Sequence, residues 1–73
     1  MVLTVEVEKS DIEGERRVIV TFDGEPRCTV YAENSEQAIS SLRRRLESYM
    51  KCGMPISEPD IDAVLANLRQ RWH

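Results

Sequence analysis

At Asn34 the apolar spacing of the chain changes from every second residue to every third or fourth, and that change decides what the chain can fold into. Before it, "VLTVEVE" sets Leu3, Val5 and Val7 on one face and Thr4, Glu6 and Glu8 on the other, the period of a half-buried strand. "RRVIVTF" repeats the pattern with Val18, Val20 and Phe22, mostly β-branched residues that favour extended backbone. The polar run "KSDIEGE" between them is a loop. Asp23-Gly24 is a hairpin signal, because a two-residue primed turn needs positive φ at both positions. A third strand through "PRCTVYA" follows, and Pro26, with no N–H to give a ladder, belongs at an edge or a bulge.

After Asn34 the pattern is helical. Asn34 is a good N-cap, Gln37 can complete a capping box, and Glu36 stands where the helix dipole favours negative charge. Ala38, Ile39, Leu42, Leu46, Tyr49 and Met50 share a face until Gly53 and Pro55 stop the helix, which spans about residues 35 to 52. "MPISEP" reads as a linker. A second helix follows, capped by Asp60, with Ile61, Val64, Leu65, Leu68 and Trp72 at amphipathic spacing.

The expected fold is therefore α+β: a three-stranded antiparallel sheet covered by one helix (βββα), plus a short C-terminal helix. With 73 residues the chain makes one small core, often helped by association with a partner. We divide it into a βββα unit over residues 1–59 and an amphipathic helix over 60–73 that packs on the core or in a dimer interface. Strand one or strand three must form a sheet edge, open to another chain unless the last helix hides it.

Charge is uneven. Net charge is −3, but residues 1–36 carry −5 and residues 37–73 carry +2. An acidic half suits a basic partner and argues against adhesion of the whole chain to nucleic acid. The opening "MVLTVEVEKS" alternates charge and no apolar run reaches the ~20 residues of a membrane helix, so neither a signal peptide nor a membrane span is expected, and the cytoplasm is the default location. Cys28 and Cys52 lack metal-ligand spacing, and the one histidine is His73, so two reduced thiols and no metal or cofactor are expected.

The triple arginine at Arg43, Arg44 and Arg45 raises the question of nucleic acid. At about 100° per residue, Arg44 points straight out while Arg43 and Arg45 flank the apolar stripe on opposite borders, with Glu47 and Lys51 within helical reach. Phosphate binding needs cations aimed along one track, so a solvated helix surface is the better reading. A nucleic-acid site would use Arg43, Arg44, Arg45 and Lys51, with Arg69 and Arg71. Glu6 and Glu8 share a strand face, but no internal histidine, base-paired serine or phosphate loop converges on them, so no catalytic set is expected and the chain is not read as an enzyme.

The run "VIVTFDGEPRCTVYAENSEQAISSLRRRLESYMKCGMPISEP" resembles the HicB family of antitoxins. That family's N-terminal domain reads Phe-Pro-Asp-Leu-Pro-Gly-Cys at a strand end, Gly-Asp-Thr-x-Glu-Glu-Ala at a helix start, and Gly-x-x-Ile-Pro-x-Pro at the close. Phe22, Pro26, Cys28, Glu36 and Ala38 fall on matching positions, and Gly53, Pro55, Ile56 and Pro59 resemble the close with Ile and Pro interchanged. Asp23, Arg27 and Asn34 depart from the pattern, and the likeness covers about residues 2 to 59. It implies a fold similar to a truncated ribonuclease H-like domain without its active site, which binds and blocks a small basic ribonuclease toxin of the HicA family. Family members usually add a DNA-binding region. Here 14 residues follow Pro59, room for one helix rather than a helix-turn-helix.

The leading expectation is thus a non-enzymatic, protein-binding antitoxin-like module in which Glu6, Glu8, Asp11, Glu13 and Glu15 attract a basic partner. The alternatives are a small homodimeric structural or regulatory domain and, behind it, a nucleic-acid binder.

Overall fold

The computed structural model describes residues 1–72. Strands β1 (Leu3–Lys9), β2 (Arg16–Phe22) and β3 (Glu25–Ala32) precede helices α1 (Ser35–Lys51) and α2 (Glu58–Arg71). The strands form an antiparallel meander in the order β1-β2-β3, so both β1 and β3 are edges. Leu3 faces Phe22 and Lys9 faces Arg16, which puts Val5, Val18 and Val20 on one buried face. The Asp23-Gly24 hairpin forms as the dipeptide demands, with φ of 52° and 87°. Pro26 sits both on an edge and at a bulge: Val20 pairs with Cys28 but Thr21 pairs with Pro26, leaving Arg27 as the extra residue.

Asn34 caps α1 through its side chain, which accepts from the Gln37 N–H at 2.9 Å. Gln37 reaches back one residue further than a capping box requires, accepting from the Glu33 N–H at 3.0 Å. Gly53, at φ 95°, turns the chain out of the helix, and its N–H donates to the Met50 carbonyl.

The second helix starts earlier than its sequence suggests. Ser57, not Asp60, is its N-cap, and Asp60 is the third helical residue of a reciprocal capping box. Pro59 lies inside the first turn, where its missing N–H costs no helical hydrogen bond. The expected boundary between residues 59 and 60 therefore falls within α2. Ile61, Val64, Leu65 and Leu68 are buried in the same apolar cluster as Val5, Leu42 and Leu46.

Both helices lie against one face of the sheet, α1 along β3 and α2 along β1. Width explains why one helix does not suffice: three strands spaced ~4.8 Å apart present about 14 Å of apolar face, and one helix covers about 10 Å. Without α2, the face of Val5 would be bare. At the far end, the Phe22 and Tyr49 rings meet edge to face at 5.4 Å and the Tyr49 hydroxyl donates to the Arg27 carbonyl at 3.1 Å, pinning α1 to the start of β3.

Candidate interaction surface

With both helices on one side, the other face of the sheet is uncovered. Its side chains form rows fixed by the strand register. Glu8, Arg17 and Tyr31 make one row, Glu6, Ile19 and Thr29 the next, and Thr4 with Thr21 a third, joined by a hydrogen bond between the two hydroxyls. In the first row the Arg17 guanidinium donates to the Glu8 carboxylate at 2.7 Å. Arg17 is held further toward its charged form by that hydrogen bond and, secondarily, by one to Tyr31. Glu8 is therefore neutralised, whereas Glu6 is exposed with no ion-pair partner among the described residues. Tyr31 is 54% exposed, and Ile19, half-buried between the rows, adds apolar surface.

The acids of the β1–β2 loop lie at one end of the sheet. Asp11 and Glu13 are exposed, and Glu15 accepts from the Ser10 hydroxyl at 2.9 Å. Backbone bonds from Ser10 N–H to the Glu15 carbonyl and from Glu15 N–H to the Ile12 carbonyl close the loop, with Ile12 63% exposed on it. A meander brings the end of β1, the start of β2 and the end of β3 together, so Glu33 joins this acidic end beside Glu13 and Glu15 around a concavity of about 350 Å³. Sequence spacing missed Glu33. Tracing the meander would have found it, since Arg16 lies opposite Ala32, the residue before it. The same concavity holds Lys9, Arg16 and Trp72, the Arg16 guanidinium standing 5.6 Å from the centroid of the indole ring.

The arginines of α1 diverge. Arg43 turns toward α2 and reaches Asp62 at 3.5 Å rather than pairing with Glu47, while Arg45 lies on the β3 side near Cys28. Arg44 and Arg45 together border the trough beside β3. Lys51 sits exposed in the last turn of α1, and Arg69 and Arg71 in the last turn of α2. Arg43 and the Arg44–Arg45 pair thus serve different sides of α1.

Among the described residues, no three His, Cys, Asp or Glu side chains are grouped as metal ligands, and no helix is long and apolar enough to cross a membrane. His73 lies outside the described residues. Cys28 is buried and Cys52 exposed, both as free thiols. Burial pushes the Cys28 thiol up from its ordinary pKa, an effect the nearby Arg45 guanidinium partly offsets. No family model matches the chain, and neither a curated protein nor a solved structure does.

Proposed function

We propose that this chain is a non-enzymatic protein-binding module that holds a basic protein partner on the uncovered face of its sheet. The observation that carries this reading is the gathering of Glu13, Glu15 and Glu33 at one end of the sheet, with the exposed Asp11 in the same loop, beside an uncovered face that carries Glu6, Ile19 and Tyr31. An acidic rim beside a partly apolar platform combines the two parts of a protein interface: charge that steers the encounter and a patch that can be desiccated on contact. The antitoxin reading is the specific form of this proposal, with a small basic ribonuclease toxin as the partner. It is supported by the motif register of residues 18–59 and by the acidic surface, while the likeness to a truncated ribonuclease H-like fold rests on the same register.

Coexpression with a small basic protein encoded beside it, followed by affinity capture and a growth assay, tests the proposal. We expect a complex whose association rate falls steeply with salt and with the double substitution Glu13→Lys and Glu33→Lys, together with rescue of growth. A complex without rescue removes the antitoxin form and keeps the binding module. Capture unaffected by salt and by both substitutions removes the acidic surface as the binding site.

A further inference from the structure

The edge strand β3 is guarded only over its first three residues. At its start, Pro26 has no N–H to offer, the bulge at Arg27 breaks the ladder, and Arg27 is paired with Glu25 at 3.2 Å. From Cys28 to Ala32 the strand pairs regularly with β2 and carries no charge, proline or glycine. The opposite edge, β1, carries Glu6, Glu8 and Lys9 along the same length. An uncharged, regular edge presents unpaired backbone donors and acceptors to any extended chain of suitable side chains.

The charge next to this edge comes from α1. A trough between β3 and α1 is lined by Thr29, Tyr31, Ser41, Arg44 and Arg45, and a second hollow continues it along α1 past the same two arginines to Ser48 and Tyr49. Neither Arg44 nor Arg45 has an ion-pair partner among the described residues. We propose that the outer edge of β3 over Cys28–Ala32 accepts an extended acidic segment of a partner protein as a fourth strand, with Arg44 and Arg45 pairing to carboxylates on the side of that strand facing α1.

Side chains alternate across a strand, so acids at every second position of the segment fall on the arginine side. Backbone bonds supply affinity and the two guanidiniums supply selection. A second copy suits this edge less well. Pairing β3 with β3 about a twofold brings both copies' Arg44 and Arg45 to one seam about 17 Å long, where like charges oppose association. This site goes beyond the binding face proposed above: it takes the opposite charge and lies along a different border of the sheet.

The test uses the full chain and a blocked six-residue peptide alternating threonine and glutamate, with a threonine–lysine peptide and a backbone N-methylated threonine–glutamate peptide as controls. Binding is followed by fluorescence anisotropy, and amide exchange locates it. We expect the glutamate peptide to bind and to slow exchange within Cys28–Ala32, with affinity lowered at least tenfold by Arg44→Glu with Arg45→Glu and by N-methylation. Glu6→Lys, on the opposite edge strand β1, should leave this binding unchanged, which separates the site from the acidic face. Equal binding of the lysine peptide, protection mapping to β1, or a dimer that the peptide cannot compete away each overturns the proposal, as does the absence of peptide binding at low salt.

Discussion

Leu68→Ala tests whether α2 is part of the core or an arm held ready for another chain. Leu68 is fully buried, in one cluster with Val5 of β1 and with Leu42 and Leu46 of α1. Removing three carbons from such a site costs their transfer free energy plus the cavity left behind, together about 3 kcal/mol. A domain of this size has a total stability of roughly 4 to 11 kcal/mol. The substitution therefore removes a quarter or more of what holds the chain folded and lowers Tm by about 12 to 24 °C, at ~4–8 °C per kcal/mol for a small domain. Urea denaturation of the purified chain followed by circular dichroism, across a tenfold range of protein concentration, measures it. We expect a lower midpoint with an unchanged slope at every concentration, because the cavity forms within one molecule. A loss below about 1 kcal/mol, or one that grows as the protein is diluted, would refute the assignment of α2 to the monomer core and place Leu68 in an interface between chains.

Four further outcomes follow from local geometry. At pH 8 an alkylating reagent should modify Cys52 quickly and Cys28 only on unfolding, as read by mass spectrometry; because Cys28 titrates above its ordinary value, the stability it contributes is present at neutral pH and is lost as pH rises through the raised value. Ser57→Ala, which removes the acceptor for the Asp60 N–H, should cost about 1 kcal/mol in denaturant titrations. The Asp60 carboxyl is held below its usual range chiefly by the Ser57 backbone N–H, so the advantage of wild type over Asp60→Asn should be present at neutral pH and vanish as pH falls below the ordinary carboxylate value of ~4. Gly24→Ala, at φ 87° in the hairpin, should cost about 1 kcal/mol through left-handed backbone strain alone, with the sheet register intact by amide exchange.

What the sequence made legible was what neighbouring residues decide. The alternation of Val18, Val20 and Phe22, the turn at Asp23-Gly24, the Asn34 cap and the Gly53 exit each depend on a few adjacent positions, and each appears in the structure where the sequence places it. The sequence pattern puts the start of α2 three residues late, at Asp60, because Pro59 reads as a stop as readily as a first-turn residue; the reciprocal hydrogen bonds between Ser57 and Asp60 make Ser57 the cap. Glu47, four residues on, is within helical reach of Arg43, but packing of α1 on α2 offers Asp62 instead. Glu33 was missed for a related reason: its neighbours in space, Glu13 and Glu15, lie across the sheet and not along the chain.

The charge split of the sequence takes its meaning from the same topology. Residues 1–36, with their net −5, build the sheet and the first turn of α1, and residues 37–73, with their net +2, build the rest of the helical layer. Division of charge along the chain thus becomes division between layers. Both helices stack on one side, so the layer with an uncovered face is also the acidic one. Within that face Arg17 neutralises Glu8, and the excess is displaced to Glu6 and to the loop acids at one end. A basic partner is then drawn to that end and to the uncovered face beside it. The arginines next to β3 repel such a partner from the edge, leaving that border to chains of the opposite sign.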